Sequence, residues 1–282
     1  REGWAAAADA IRTTDLVAKT ASCRVSLSGG TVTVTGMAKG SGMIRPDMAT
    51  MLAFVATDAR LESDAAVDTV LRHAVDQSFH CITVDGDTST NDAVTLSATG
   101  ASGVAPVHAE DERALQGAVD GVCAALARAI VRDAEGATRL VEIAVTGAAD
   151  RREARTVAFT VAHSPLVKTA VHGGDPNWGR ILAAVGRAPV TDLDVHTVDI
   201  ALGDVAVVVD GEPVRGFDGE AAARAMSRDE VRIGIGLGRR PEIALQAPRQ
   251  CLGLLSGIVP VGQPREAAQR PEAQELDVQH VA

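Results

Sequence analysis

Apolar positions recur at two spacings along this chain of 282 residues, every second residue in some stretches and every third or fourth in others, and the two alternate in a way that predicts a mixed α/β fold. Ala5, Ala8 and Ile11 share one side of a short helix over residues 3–12 that stops at Thr13-Thr14-Asp15. Residues 23–27 and 31–35 alternate apolar and polar around Ser28-Gly29-Gly30, the pattern of a hairpin. The Gly and Pro content of 36–47 predicts an irregular loop leading into a buried strand over 48–56. Ser63 is placed to cap a helix whose apolar face is Val67, Val70, Leu71, Ala74 and Val75. Strands at 81–84 and 93–96 flank a polar loop at 85–92. The longest helical stripe, Leu115, Val119, Val122, Leu126 and Ile130 within 110–132, precedes a strand at 139–146. Further on the pattern predicts a strand at 156–162, a Gly-rich turn entering a helix at 176–187, strands at 198–202 and 205–209, a helix at 219–226 and a strand at 230–235. From Gly238 onward prolines break every period, so 238–282 is expected to be a divergent, loosely packed tail.

Composition narrows the function classes. With 46% hydrophobic residues the chain can bury a sizeable core. Its 27 basic against 37 acidic residues give a net charge of −10, which disfavours a nucleic-acid partner. Four Phe, two Trp and no Tyr leave little from which to build a stacking platform for bases. Cys23, Cys81, Cys123 and Cys251 stand singly, without metal-ligand spacing, and read as reduced thiols. No uninterrupted apolar run reaches the roughly 18 residues a membrane helix needs and no leader opens the sequence, so the expectation is a cytoplasmic protein without a membrane partner. A start at Arg1, directly in Ala-rich helical sequence, suggests a truncated or processed N-terminus.

Nucleophile elbows and phosphate loops are absent, which leaves three segments that could carry chemistry. In the first, a Gly-rich loop after Lys39 delivers Ala49 and then Thr50 to the mouth of the buried strand. That order suits self-cleavage: Thr50 Oγ attacks the Ala49 carbonyl, the peptide becomes an ester, and hydrolysis leaves Thr50 with a free α-amine of pKa near ~8 that can serve as base for its own hydroxyl. A threonine that merely starts a strand is the plainer alternative. In the second, residues 85–92 imitate the opening of a calcium loop, but Thr90 stands where the loop needs Gly and Leu96 where it needs Glu. An EF-hand is therefore rejected, leaving satisfied loop donors or an active-site wall. In the third, residues 163–180 concentrate His, Gly, Asp, Asn, Trp and Arg; they read as a turn presenting amides to an anion or as a tight turn with Trp178 buried and Arg180 in a salt bridge. His163 and His172 lack metal spacing, and Gly234, Gly236 and Gly238 lead into Arg239-Arg240-Pro241 rather than a helix, so no dinucleotide site is expected. Glu135 closes the long helix as a solvated carboxylate or a ligand contact.

Four of these stretches, 39–52 (KGSGMIRPDMATML), 84–92 (VDGDTSTND), 133–138 (DAEGAT) and 164–180 (SPLVKTAVHGGDPNWGR), in this order, resemble the ornithine acetyltransferase family, also called the bifunctional glutamate N-acetyltransferase ArgJ family. The resemblance implies an α/β fold of DmpA/ArgJ-like, N-terminal-nucleophile type, with sheets packed with helices and a smaller C-terminal α/β part. It divides the chain into an α-chain remnant at 1–49, a catalytic domain at 50–190, a C-terminal part at 191–237 and the tail at 238–282. It also implies an acyltransferase of arginine biosynthesis that moves acetyl from N-acetylornithine to glutamate through a Thr50 ester. Metal and organic cofactor are not required, acetyl-CoA is an alternative donor, and α and β chains cut between Ala49 and Thr50 assemble as a heterotetramer. Thr50 matches the family's nucleophile, and Thr13, Lys39, Thr50 and Glu135 match its substrate contacts. The family's oxyanion-hole Thr-Gly pair and its C-terminal substrate contacts find no match here, so an inactive fragment that at most binds other family members is the competing expectation. A peptidase using the same self-cleavage is a third.

Overall fold

A computed structural model describes residues 3–45, 51–239 and 276–277, which form two compact units. The first comprises Arg1–Ile82, Asp87–Glu135 and Val261–Ala282, the second Thr83–Gly86 and Gly136–Pro260.

In the first unit, helix α1 (Trp4–Ala10) leads into strand β1 (Lys19–Leu27), which turns through Ser28 and Gly29 into antiparallel β2 (Gly30–Lys39). Strand β3 (Leu52–Thr57) pairs antiparallel with β2, then crosses through α2 (Asp64–Gln77) to parallel β4 (Ala93–Ala98). A parallel neighbour requires such a crossover, and Ser63 caps its helix by accepting the Ala66 N–H, as the sequence predicts. A short strand, Leu276–Asp277, pairs with the outer edge of β1. Helix α3 (Ala109–Arg132) lies on β1 and β2 with Leu115, Val119, Val122, Leu126 and Ile130 fully buried. The approach is so close that a Cβ on Gly36 of β2 would stand 2.8 Å from Leu126 Cδ1 and 3.0 Å from Val122 Cγ1. By length and hydropathy α3 could cross a membrane, yet its apolar stripe is used on this sheet.

Asp111, in the first turn of α3, accepts from Ser28 Oγ (2.5 Å), Ser28 N (2.8 Å) and Val107 N (3.1 Å), tying the β1–β2 turn to the helix start. The Ser28 hydroxyl, then the Ser28 and Val107 N–H groups, hold its carboxyl down to about 2. A depressed carboxyl stabilises the fold above its ordinary value of 3.8 and loses that contribution as pH falls toward 2. The melting temperature of Asp111→Asn is therefore expected to fall less steeply than that of the native chain between pH 4 and 2; equal slopes in calorimetry would contradict the assignment.

In the second unit, β5 (Leu140–Thr146), β6 (Asp199–Leu202), β7 (Val205–Val209), β8 (Glu212–Pro213) and β9 (Glu230–Gly236) form a sheet of order β5-β9-β6-β7-β8. Helices α4 (Arg151–Ala162), α5 (Pro165–Gly173), α6 (Trp178–Gly186) and α7 (Gly219–Met226) contribute to its core, in which Ile143, Val157, Val161, Ile200 and Ile233 are sealed from solvent.

The structure departs from the sequence reading at four points. Residues 156–162 are helical: the buried positions are Val157, Ala158, Val161 and Ala162, a helical spacing that the alternation of Val157, Phe159 and Val161 disguises. Asp150 caps this helix by accepting the Glu153 N–H at 2.7 Å. Residues 165–173 form a helix where no element was expected, with Pro165 in its first turn after the cap Ser164. Residues 81–84 are not a strand, since Phe79–Cys81 is a 3-10 turn and the following groups bond to side chains: Thr83 Oγ1 to His163 Nε2 (3.0 Å) and the Val84 carbonyl to Lys168 Nζ (2.9 Å). The irregular loop begins only after Lys39, because 36–39 continue the β2 ladder against β3. Strand β5 pairs with β9 along its whole length, within the unit that holds 136–237. Residues 240–275 and 278–282, most of the expected tail, lie outside the described residues.

Candidate functional site

The first unit gathers the expected substrate contacts at one end of its sheet. Strand β2 ends at Lys39, in register with Leu52 of β3, and Leu52 pairs in turn with Ala93 of β4. Met51 is therefore placed between the ends of β2 and β4. Its N–H donates to Asp92 Oδ1 at 2.6 Å, and its carbonyl accepts the Ala93 N–H at 3.1 Å. Ala49 and Thr50, the expected cleavage site and nucleophile, lie outside the described residues.

Lys39 is 7% exposed, and its ammonium makes no hydrogen bond or ion pair among the described residues. Asp92 supplies its counter-charge at longer range. Burial pushes the Asp92 carboxyl up, and the Met51 N–H and the Lys39 ammonium only partly offset that. An ammonium on a nearly buried lysine that has no bonded anion among the described residues is suited to receiving a carboxylate from outside the chain.

Beside Lys39, three loops are locked together by a buried ion triad. Lys19 Nζ bridges Asp15 Oδ1 (2.5 Å) and Asp133 Oδ2 (2.8 Å), and all three side chains are at most 4% exposed. Asp15 also accepts the N–H groups of Gly40 (2.7 Å) and Thr13 (3.1 Å), so it ties the residue after Lys39 to the expected contact Thr13. Asp133 accepts the N–H groups of Leu16 and Val17, while its carbonyl accepts from Ser41 Oγ (2.8 Å). The Ser41 carbonyl then accepts the Glu135 N–H at 2.8 Å. Burial pushes the Asp15 carboxyl up, but the Lys19 ammonium and the Gly40 and Thr13 N–H groups outweigh it and hold the group below its ordinary range.

Glu135 follows α3 as an exposed residue with its carboxylate over Gly42: a Cβ there would meet the Glu135 carboxyl at 2.9 Å. Thr13, Lys39 and Glu135 are thus each one or two residues from the same network. The sequence reading did not single out Asp15, Lys19, Asp133, Ser41 or Asp92 for these roles. The spacing of Asp15 and Lys19 at i and i+4 was the available signal.

The remaining segments resolve as structure. Asn177 caps α6 by accepting the Arg180 N–H, while the Arg180 guanidinium donates to the Leu166 carbonyl and Thr169 Oγ1 (both 3.1 Å) and, among the described residues, to no carboxylate. Trp178 is half-buried against the core of the second unit. His163 stacks on Phe159 with centroids 5.5 Å apart, and His172 faces Thr138 Oγ1. Among the described residues no three His, Cys, Asp or Glu side chains stand close enough to share a metal ion. Cys23, Cys81 and Cys123 are buried thiols, and burial, with Asp120 adding, pushes the Cys123 thiol up to about 12.

Known proteins match this chain over most of its length. The ArgJ family model matches residues 2–246. The chain is 53% identical over 241 residues to the arginine biosynthesis bifunctional protein ArgJ of Methylococcus capsulatus and 47% identical over 241 residues to that of Pseudomonas syringae pv. tomato, in each case covering 84% of this chain. It spans 59% of the length of these relatives. The crystal structure of arginine biosynthesis bifunctional protein ArgJ from Bacillus halodurans superposes with a TM-score of 0.63 at 39% identity, covering 67% of this chain and 88% of that one. This likeness bears out the α/β class of ArgJ-like, N-terminal-nucleophile type with sheets packed by helices. On the extent and identity of these matches, the chain belongs to the ArgJ family.

Proposed function

We propose that this chain works as an acyltransferase of arginine biosynthesis, moving acetyl from N2-acetylornithine to glutamate through an ester on Thr50. The observation that carries the reading is the nearly buried Lys39, whose ammonium has no bonded anion among the described residues, at the strand end beside Met51 and tied through Gly40 and Ser41 to Thr13 and Glu135. Both amino acids present an α-carboxylate, which Lys39 can neutralise. Glu135 is suited to the side-chain ammonium of ornithine, and Thr13 to a further hydrogen bond.

Self-cleavage between Ala49 and Thr50 frees the Thr50 α-amine, which takes the hydroxyl proton as Oγ attacks the acetyl carbon. Collapse of the tetrahedral intermediate breaks the acetyl C–N bond, and ornithine leaves with the proton. The glutamate amine then attacks the ester, Thr50 Oγ recovers its proton, and N-acetylglutamate departs. Acetyl enters with the first substrate, so the cycle needs neither metal nor organic cofactor, and acetyl-CoA can replace acetylornithine as donor. The two cleavage products work together as a heterotetramer in the cytoplasm.

Intact mass after incubation at neutral pH tests the first step. Two fragments divided between Ala49 and Thr50 are expected, with Thr50→Ala remaining whole and inactive in acetyl transfer. A single uncut species of 29.0 kDa without turnover would instead favour an inactive fragment, and peptide hydrolysis without acetyl transfer would favour a peptidase.

A further inference from the structure

We infer that Gly42 is a positioning residue for the Glu135 carboxylate and, through it, sets the preference for a substrate side chain that ends in an ammonium. The proposal rests on the reading of Glu135 as the contact for that ammonium.

Three glycines lie on β2 or just after it, and each answers a different demand. Gly36 leaves room for α3, as the contact of its absent Cβ with Leu126 shows. Gly40 has φ +147°, a conformation that favours glycine. Gly42 lies outside the left-handed region, so its backbone alone does not ask for glycine. What a Cβ at position 42 would meet is the end of one side chain: its three nearest atoms are Glu135 Cδ and Oε2 at 2.9 Å and Oε1 at 3.1 Å. The Glu135 carboxylate thus occupies the space that any other residue at 42 would fill.

The two backbone segments are pinned to each other and do not part readily to relieve such a contact. The Glu135 N–H donates to the Ser41 carbonyl and Ser41 Oγ to the Asp133 carbonyl, both at 2.8 Å, while the Gly40 N–H donates to Asp15 Oδ1 at 2.7 Å. Ser41 is 2% exposed, and Lys19 joins Asp15 to Asp133 behind it. The Glu135 side chain is the soft partner, exposed and with no hydrogen bond or ion pair of its carboxylate among the described residues. A Cβ at 42 therefore moves the carboxylate rather than the loop, by about half an ångström or more before an ordinary contact of 3.4–4 Å is regained. Charged hydrogen bonds are short and weaken steeply with distance and angle. A displaced carboxylate no longer meets the ammonium of a substrate whose α-carboxylate is held at Lys39.

The test uses the full chain with ornithine and norleucine, free amino acids that carry no acetyl group to transfer. They differ at the end of the side chain, an ammonium in one and a methyl in the other. Calorimetry on the native chain, Gly42→Ala, Glu135→Gln and the double variant reads the preference for ornithine. That preference is expected to be about tenfold or more in the native chain and within about threefold in either single variant. The double variant should lie within about twofold of Glu135→Gln, because Gly42 acts through Glu135. In acetyl transfer Gly42→Ala should raise KM for N-acetylornithine about tenfold with kcat within about threefold. Its thermal midpoint should not fall, since alanine at a compatible backbone restricts the unfolded chain. An undiminished preference in Gly42→Ala, losses that add in the double variant, a fall in kcat with KM unchanged, or a lost cooperative melt would each overturn the proposal. A native chain that binds both amino acids equally refutes instead the reading of Glu135 as the ammonium contact. Crystal structures of the native chain and Gly42→Ala separate the two failures: a displaced Glu135 carboxylate keeps Gly42 as its positioning residue, and an unmoved one removes that role.

Discussion

Replacing Lys19 with methionine is expected to lower the thermal midpoint of the first unit by on the order of 10 °C, the largest effect on stability of any single substitution considered for this protein. The Lys19 ammonium is the shared cation of Asp15 and Asp133, and its removal leaves two carboxylates sealed from solvent with no ion-paired cation among the described residues. Breaking such a buried pair costs about 3–5 kcal/mol, against about 5–15 kcal/mol for a whole domain. The pH dependence should change as well. Asp15 is depressed in the native chain, so its stabilisation is present above its ordinary carboxylate value and lost as pH falls below it. Lys19 supplies two of the interactions that hold it down, so the acid-side loss should be shallower in Lys19→Met. Calorimetry between pH 7 and 3 measures both. A midpoint within about 2 °C of the native value would mean that the triad is solvated and does not fix the three loops.

This triad is also where the sequence was least transparent. Helices with a continuous apolar face, α2, α3 and α7, were legible because burial on one side leaves a spacing of three and four, and the β1–β2 hairpin because two alternating runs flank a Gly pair. Helix α4 was misread because Val157, Phe159 and Val161 alternate over a length too short to separate periods of 2 and 3.6; Ala158 and Ala162, small enough to escape notice, complete the helical face. Residues 81–84 mimicked a strand because Ile82 and Val84 are buried, although side chains rather than a neighbouring strand meet Thr83 and Val84. At the site, motif order marked Thr13, Lys39 and Glu135, but the network joining them links positions more than 100 residues apart in sequence, Lys19 with Asp133 among them. No local period records such a contact. Asp92 was hidden for a related reason: it sits in a loop dense with Asp, Ser, Thr and Asn, where hydrogen bonds to the loop's own backbone are the default.

Lys39 predicts the opposite pattern from Lys19, and the contrast separates recognition from folding. Among the described residues its ammonium makes no hydrogen bond or ion pair, so Lys39→Met orphans no bonded carboxylate and places an apolar side chain in a nearly buried position. The variant should melt at or above the native temperature. Its acetyl transfer should nevertheless fall, because the α-carboxylate of the substrate would enter a corner without a cation, and losing one partner of such a charged hydrogen bond costs about 2–5 kcal/mol, roughly 30- to 5,000-fold in kcat/KM. Self-cleavage involves no substrate carboxylate and should proceed near its native rate, so the protein remains a competent, cut nucleophile that cannot hold its substrate. Lys39→Arg restores charge without the compact point geometry of an ammonium and should recover only part of the loss. Stability gained while activity is lost is the signature of a group held in place for its ligand rather than for the fold. A variant that melts early while its surviving fraction transfers acetyl at the native rate would show instead that Lys39 serves the packing of β2 against β3 and that the substrate carboxylate is bound elsewhere.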